Sequence, residues 1–159
     1  MSRRTHGEVV IASRLAAPPE VVWARVSTVA GVNSELRPIV RMTAPRGLDS
    51  LVRTDVVLGA RLFRSWILLF GLVPIDYDDL TLVRLDPGRG FHERSPMLSQ
   101  RVWEHERTLE PEGTVCLLTD RLRFEPRPPI PVALVERVVG LLFRHRHRRL
   151  RERFGGAPI

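Results

Sequence analysis

The segment Val132–Phe154, VALVERVVGLLFRHRHRRLRERF, decides the fold of this chain. Its apolar side chains recur at steps of three and four residues, which predicts one long amphipathic helix with a single apolar face. Gly155 and Gly156 follow it and suit a helix end. Because an apolar helix face is stable only against another layer, the rest of the chain must supply that layer. The residues of the apolar face are Val135, Val139, Leu142, Phe143, Leu150 and Phe154.

The sequence before this helix predicts an antiparallel sheet. Residues 8–15 (EVVIASRL) are rich in β-branched side chains and form the first predicted strand. Two short helices follow, one starting at Pro19 and one over residues 30–36. Turn sequences such as Pro111-Glu112-Gly113 separate the later strands, which is typical of an antiparallel meander. Those strands are predicted over residues 39–42, 51–58, 77–85, 91–97, 101–109 and 114–124.

These elements predict an α+β fold in one domain, residues 1–159. A curved antiparallel sheet of about seven strands, with two short helices after strand 1, is expected to wrap around the C-terminal helix at about residues 132–154. The hydrophobic fraction of 43% suits one buried core and excludes a disordered chain.

The charge is strongly positive, with a formal net charge of +7, and all 25 basic residues are arginine. Such a surface favours anionic partners. The single cysteine, Cys116, excludes an intrachain disulfide and is expected to be buried. Arg3 and Arg4 are not followed by the apolar core of an export signal, and no stretch reaches the ~20 apolar residues of a membrane span, so we predict a cytoplasmic protein.

Three segments and the order of elements resemble the helix-grip superfamily of START-related lipid-transfer domains and polyketide cyclases (SRPBCC). The segments are residues 17–24 (APPEVVWA), 103–107 (WEHER) with 119–126 (TDRLRFEP), and 143–150 (FRHRHRRL). The resemblance implies an apolar cavity between the sheet and the C-terminal helix. It implies no particular activity, because that fold hosts carriers, receptors and enzymes.

A repeated tripeptide marks the candidate site: His92-Glu93-Arg94 and His105-Glu106-Arg107 lie on successive predicted strands. Alternate strand residues share a face, so Trp103, His105 and Arg107 point together, and we assign them to the concave side. If Glu112-Gly113 closes the next hairpin, Asp120 lies opposite His105 and Leu122 lies opposite Trp103.

His105 and Asp120 are therefore the candidate catalytic residues, with His105 as acid or base and Asp120 orienting it, or as a polar anchor for a ligand. The competing interpretation is a cross-strand charge ladder on a solvated face. We favour the ladder, because a one-residue slip in register exchanges the two faces. The predicted ligand-binding residues are Trp66, Phe70, Trp103, His105, Arg107, Leu122, Val139 and Phe143.

Residues 62–74 (LFRSWILLFGLVP) are unusually apolar. They allow a buried strand, a short helix at the cavity mouth, or an exposed loop that contacts a membrane or a partner. Burial is expected, since apolar runs are usually core. Trp66 and Phe70 beside Gly71 would otherwise form a gate for an apolar ligand.

The basic run at residues 144–153 (RHRHRRLRER) is expected to be a solvated helix end, with weak contact to an anionic membrane as the alternative. It lacks a groove-reading motif and stacking aromatics, so we predict no nucleic acid. No metal is predicted, because His145 and His147 are two residues apart and diverge on a helix. Asp76, Asp78 and Asp79 are expected to form a solvated strand start, and no cofactor is predicted.

The predicted function is binding or transport of an apolar or aromatic small molecule, lipid-like or polyketide-like, between the sheet and the C-terminal helix. The alternative is a cyclase, aromatase or dehydratase that uses His105 as acid or base. A protein- or membrane-interaction module with a filled core is the third interpretation. The pattern favours binding over catalysis, because only the pair of His105 and Asp120 suggests acid–base chemistry.

Overall fold

A computed structural model describes residues 4–53 and 55–159 of the chain. Its elements follow one another as β1 Gly7–Leu15, α1 Pro19–Val26, α2 Val29–Leu36, β2 Val40–Met42, β3 Arg61–Leu69, β4 Val73–Asp86, β5 Gly90–Ser95, β6 Gln100–Glu112, β7 Val115–Pro126, α3 Val132–Phe154 and β8 Gly156–Pro158.

The strands form one antiparallel sheet in the order β2-β3-β4-β5-β6-β7-β1-β8. The long helix α3 lies against β1 and β7, where Leu122 and Phe124 of β7 pack on Val139 and Phe143 of α3. The predicted α+β helix-grip fold is confirmed. The sequence missed the three-residue strand β8, which pairs with β1 through residues that include Pro158, a poor strand former.

Local signals explain where the helices begin and end. Pro19 opens α1 with the backbone angle that a first helical turn requires. The Thr28 hydroxyl caps α2 by accepting a hydrogen bond from the Gly31 N–H at 2.9 Å. The helix α3 ends at Gly155, whose φ of +77° is readily adopted only by glycine.

Residues 51–58 were expected to form a strand, and that expectation is wrong. The described residues between β2 and β3 form a long connection held by scattered backbone bonds, such as Gly59 N–H to the Leu82 carbonyl at 2.8 Å. Leu51 and Val52 turn inward to line a cavity instead of alternating along a ladder. The apolar pattern therefore reflects burial under a loop.

Residues 62–74 form β3, a turn and the start of β4, and their expected burial is wrong. At the turn, Phe70 is 68% and Leu72 is 81% exposed. The reason is position in the sheet: β3 lies four strands from β7, about 20 Å away at normal strand spacing. A helix about 10 Å wide over β1 and β7 does not cover a hairpin tip at that distance.

The turn between β6 and β7 lies one residue later than predicted. Gly113 and Thr114 form it, with Gly113 at φ +62°, so Glu112 pairs with Val115. Arg107 then lies opposite Asp120, and His105 opposite Leu122. The predicted register is wrong by two residues. An even shift leaves every side chain on the same face, so His105 and Arg107 are buried on the inner face to which strand alternation assigned them, and the favoured ladder on a solvated face is wrong there.

Candidate ligand-binding site

A buried ionic network centres on Asp120, which is fully buried. Its Oδ1 accepts hydrogen bonds from His105 Nε2 and Arg107 Nε, both at 2.7 Å. Its Oδ2 accepts from Arg107 Nη2 at 2.7 Å and His147 Nε2 at 2.9 Å. Four donors thus converge on one carboxylate, which satisfies a charge that would otherwise be costly to bury. We call Glu35, His105, Arg107, Asp120, Arg146 and His147 the ionic network.

Arg107 links Asp120 to a second buried carboxylate, Glu35 of α2. Arg107 Nη1 and Nη2 donate to the two Glu35 oxygens at 3.0 Å each, and Arg146 Nε of α3 donates to Glu35 Oε2 at 2.9 Å. Two guanidinium groups therefore balance two carboxylates. Residues from helix α2, the sheet and helix α3 meet in this network, so it fixes the three layers relative to one another.

The charges of the network set its pKa values. Burial opposes ionisation of Glu35, but the attraction of Arg107 and Arg146 outweighs it and lowers the Glu35 pKa. Burial likewise opposes ionisation of Asp120, but Arg107 and His105 hold the Asp120 pKa well below its usual range. Both carboxylates are ionised at neutral pH.

The imidazole of His105 is neutral at neutral pH. Burial lowers the His105 pKa and outweighs the attraction of Asp120. Because a carboxylate only accepts, His105 Nε2 carries the hydrogen and Nδ1 is left as an acceptor. No group among the described residues hydrogen-bonds to Nδ1. The ring is held edge-on by Phe91 and Phe143, each with its centroid 5.1 Å from the imidazole centroid.

His147 contacts the same carboxylate but does not line the cavity described below. Its Nε2 donates to Asp120, and its Nδ1 lies 2.8 Å from the Ser13 hydroxyl. Arg151 in turn donates to the Ser13 oxygen at 2.9 Å. With the Ser13 hydroxyl donating to Nδ1, both ring nitrogens of His147 have hydrogen-bond partners. His147 therefore donates to Asp120 as His105 does, but its second ring nitrogen is bonded to Ser13.

His105 lies on the wall of a mostly apolar cavity of about 70 Å³. We call this space the main cavity; it lies between strands β2–β6, the three helices and the connection after β2. Its polar end carries His105, Glu93 and Arg146. Its apolar wall includes Met42, Leu51, Phe63, Leu80, Leu82 and Phe91.

A neighbouring cavity of about 280 Å³ lies under the same connection and is lined by both apolar and charged side chains, among them Val56, Leu62 and Asp55. It shares Leu51 and Phe63 with the main cavity, so these two side chains form the boundary between the two spaces.

A pair of buried acids borders the main cavity. Glu93 lies directly opposite His105 on the adjacent strand and accepts from the Ser95 hydroxyl at 2.9 Å. Burial and the neighbouring Glu93 carboxylate raise the Asp78 pKa well above its usual range. The expectation that Asp78 belongs to a solvated strand start is wrong, because its strand turns this residue inward.

The structure places the predicted site residues in four locations. His105 alone among them lines the main cavity. Arg107 and Asp120 lie in the ionic network, fully buried. Trp66 and Phe70 lie on the exposed β3–β4 hairpin, away from the cavity. The remaining predicted residues, Trp103, Leu122, Val139 and Phe143, pack together in the core beneath α3.

The solvated charge ladder favoured for His105 and Asp120 lies instead on the opposite face of the same strands. There His92 and Arg94 face Glu104 at 3.5 and 3.6 Å. The expectation that residues 144–153 form a solvated helix end is wrong at Arg146 and His147, which are buried. Their spacing from Phe143 and Leu150, three or four residues each way, was the signal that could have found them.

Two negative findings complete the site. Within residues 4–53 and 55–159, no three His, Cys, Asp or Glu side chains are grouped so as to hold a metal ion. No helix in the described part of the chain is both long and apolar enough to cross a membrane.

An antiparallel sheet that grips a long C-terminal helix, with two short helices after the first strand, is the START-related helix-grip fold of the SRPBCC superfamily. The chain belongs to the family described as a domain of unknown function, DUF8410, whose sequence profile matches residues 13–154. No curated protein matches the sequence.

Solved structures share this fold at low sequence identity. CV1439 from Chromobacterium violaceum has a TM-score of 0.69 and 16% identity, covering 93% of this chain and 96% of its own. A START superfamily protein from Mycobacterium smegmatis has a TM-score of 0.65 and 14% identity, covering 92% and 96%. CalU16 from Micromonospora echinospora has a TM-score of 0.60 and 18% identity, covering 98% and 82%. These likenesses concern the fold alone.

Proposed function

We propose that the protein binds a small apolar or aromatic molecule in the main cavity, between the sheet and the helices. The observation that carries this proposal is His105 Nδ1, an acceptor without a partner among the described residues, on an otherwise mostly apolar wall. Small-molecule sites combine apolar walls with a few oriented polar groups. Asp120 and the rings of Phe91 and Phe143 fix the orientation of the imidazole.

The polar end of the cavity specifies a ligand that donates a hydrogen bond. His105 Nδ1 and the Glu93 carboxylate are both acceptors and lie on adjacent strands. The Arg146 guanidinium at the same end is already paired with Glu35. A hydroxyl or amine on an apolar skeleton would donate to His105 Nδ1, whereas an ether or ketone would leave that nitrogen without a donor.

The ligand must enlarge the main cavity. An apolar cavity that holds benzene measures about 150 Å³, and the main cavity measures about 70 Å³. Displacing Leu51 and Phe63 would join it to the neighbouring cavity of about 280 Å³. The joined space would reach the roughly 300 Å³ at which small-molecule pockets begin. Leu51 lies in the connection after β2, which is held by scattered backbone hydrogen bonds. This part of the cavity wall should therefore move at a lower free-energy cost than the sheet or the helices.

Native mass spectrometry of freshly purified protein, with solvent extraction, tests for such a ligand. We expect a bound molecule with an apolar skeleton and at least one hydroxyl or amine. The matched variants are His105→Gln and His147→Gln: both histidines donate to Asp120, but His105 lines the cavity and His147 does not. The two substitutions should destabilise the fold alike, and only His105→Gln should reduce ligand occupancy.

Calorimetry with 1-naphthol and naphthalene gives the same test with a defined pair of probes. The wild type should bind 1-naphthol more tightly, by about fivefold to tenfold for one added hydrogen bond. His105→Gln should remove that preference and His147→Gln should retain it. Equal affinity for the two probes in the wild type, or equal effects of the two variants, would contradict the proposal.

Acid–base catalysis is the second candidate function, and the state of His105 favours it. A neutral imidazole held by a buried carboxylate, with its free nitrogen on the cavity wall, has the arrangement of a general base. In that case the bound molecule would be a substrate that loses a proton to Nδ1, as in a cyclisation or dehydration. Once a co-purifying molecule is known, turnover in the wild type and its loss in His105→Gln but not in His147→Gln would distinguish catalysis from binding.

A further inference from the structure

The β3–β4 hairpin carries an exposed apolar tip that the cavity does not use. Residues 66–75 contain no charged side chain. Five members are at least two-fifths exposed, and all are large and apolar: Trp66, Phe70, Leu72, Val73 and Ile75. The fold leaves this apolar tip without cover, because α3 packs on the far strands of the sheet.

Polarity rises in steps along the hairpin away from the tip. Leu69 pairs with Val73 beside the turn, Trp66 pairs with Tyr77 farther in, and Arg64 pairs with Asp79 beyond them. The Trp66 and Tyr77 rings pack edge to face at 5.4 Å, and the Arg64 guanidinium lies 3.9 Å from the centre of the Tyr77 ring. This order of aliphatic, amphipathic aromatic and charged residues matches the change in polarity from acyl chains to headgroups.

The nearest acidic group along this hairpin is turned away from the tip. Asp76 accepts hydrogen bonds from the backbone N–H groups of Tyr77 and Ser99, at 2.8 and 3.1 Å, and from the Ser99 hydroxyl. Its carboxylate therefore faces the β5–β6 connection and is already satisfied, so it adds little repulsion toward an anionic surface.

Arginines flank the same tip. Arg41 of β2 pairs with Leu68 of β3, and the preceding residue, Val40, pairs with Leu69. Arg37 lies just before β2, and the Ile39 carbonyl accepts from the Phe70 N–H at 2.8 Å, which holds this segment against the turn. Arg37 and Arg41 are exposed, and neither forms an ion pair with an acid among the described residues.

We propose that the apolar tip of the β3–β4 hairpin inserts into the interface of a membrane that carries anionic headgroups, with Arg37 and Arg41 binding those headgroups. Insertion would remove the exposed apolar surface from water, and the two arginines would add electrostatic attraction of the kind that juxtamembrane basic residues supply. The net charge of +7 adds a long-range electrostatic attraction between the protein and such a surface. The inference is independent of what the cavity holds.

Vesicle flotation tests the proposal, using phosphatidylcholine vesicles with and without phosphatidylglycerol. The wild type should bind the vesicles that contain phosphatidylglycerol at about 0.1 M salt and lose much of that binding at about 1 M salt, where the Debye length is only about 3 Å. The double variant Phe70→Asn/Leu72→Asn should bind at least roughly tenfold more weakly, because each side chain contributes apolar area. Arg37→Gln/Arg41→Gln should weaken binding about tenfold or more at low salt only.

The control removes a similar exposed apolar surface elsewhere. Leu134 and Val138 of α3 are 53% and 55% exposed, so Leu134→Gln/Val138→Gln should leave vesicle binding unchanged. A second readout is fluorescence: vesicles should shift the emission of the wild type to shorter wavelength, and Trp66→Phe should abolish the shift while binding persists. All five substituted apolar positions are solvent-exposed, so loss of folding is not expected.

Three results would overturn the proposal. The first is that the wild type floats with neither vesicle, and the second is that the hairpin and helix variants lose binding equally. The third is a wild-type dimer in light scattering that Phe70→Asn/Leu72→Asn dissociates, with no vesicle binding. The last result would assign the apolar tip to a second copy of this chain.

Discussion

Arg107 and Asp120 face each other directly across β6 and β7, and the guanidinium donates two hydrogen bonds of 2.7 Å to the two carboxylate oxygens. The fork of Arg107 matches the carboxylate geometry, and its remaining N–H groups reach Glu35 on α2. One fully buried arginine thereby neutralises two carboxylates from different layers of the fold. Its removal would leave both charges in an apolar interior with fewer partners.

Replacing Arg107 should therefore destabilise the folded protein strongly. We expect Arg107→Gln to lower the free energy of unfolding by about 3–5 kcal/mol, the usual effect of breaking a buried ion pair. The matched control is Arg121 on the outer face of β7, which lies 3.8 Å from the exposed carboxylate of Glu8. Arg121→Gln should cost less than about 1 kcal/mol. Urea unfolding of the two variants measures both effects, and similar losses would show that the network contributes no more than a surface pair.

The ionic network should make stability fall with decreasing pH in two stages. The His105 pKa is lower in the folded than in the unfolded protein, so its contribution is present above about pH 6.5 and is lost as pH falls below that value. The pKa values of Asp120 and Glu35 are also lowered, so their contributions are lost below about pH 4. His105→Gln should remove the first stage and keep the second. Urea midpoints across this pH range would test it, and an unchanged first stage in the variant would contradict it.

Asp78 should make stability fall as pH rises, which is the opposite of the pH dependence expected from the ionic network. Its pKa is raised in the folded protein, so its contribution to stability is present below about pH 4 and is lost as pH rises through the raised pKa. Asparagine resembles the protonated acid and does not titrate. We expect Asp78→Asn to exceed the wild type in the free energy of unfolding at neutral pH, and the difference should grow as pH rises from about 4 to the raised pKa.

The neighbouring residue provides the control for Asp78. The hydrogen bond from Arg64 lowers the pKa of Asp79, which is therefore stabilising as a carboxylate. Asp79→Asn should slightly destabilise the protein at neutral pH. If both variants lowered the free energy of unfolding, the raised pKa of Asp78 would be disproved.

The β3–β4 turn should accept asparagine more readily at Phe70 than at Leu72. Phe70 has a φ of +52°, in the left-handed region that disfavours large side chains and favours glycine and asparagine. Phe70→Asn should raise the free energy of unfolding by about 0.5–1 kcal/mol. Leu72 has no positive φ, and Leu72→Asn should change it by less than about 0.5 kcal/mol. Thermal unfolding measures both, and a loss of stability in Phe70→Asn would show that its side chain makes stabilising contacts.

The candidate site was only partly predictable. The pairing of His105 with Asp120 followed from strand alternation, and it survived a two-residue error in register because such an error keeps each residue on its face. The partners Glu35 and Arg146 were missed, because they come from helices distant in sequence from β6. Glu35 is 72 residues from Arg107 and 111 residues from Arg146. No local period relates residues so far apart.

The segment at residues 62–74 shows a different limit. Its composition correctly marked it as unusual, but composition favoured burial, and the hairpin tip is exposed. Whether an apolar strand is covered depends on which strands the helix reaches, and that is a property of sheet order and curvature.

The sequence by itself determined the two short helices after β1, the apolar face of α3 and the alternation that puts His105 and Arg107 on one face of β6, because helical and strand periods depend on local spacing. The tertiary structure alone decided that α2, β6 and α3 bring Glu35, Arg107 and Arg146 together, that His105 rather than His147 borders a cavity, and that the β3–β4 tip is left bare. The physical reason is that a period fixes the direction of a side chain, whereas its neighbours are fixed only when separate elements pack.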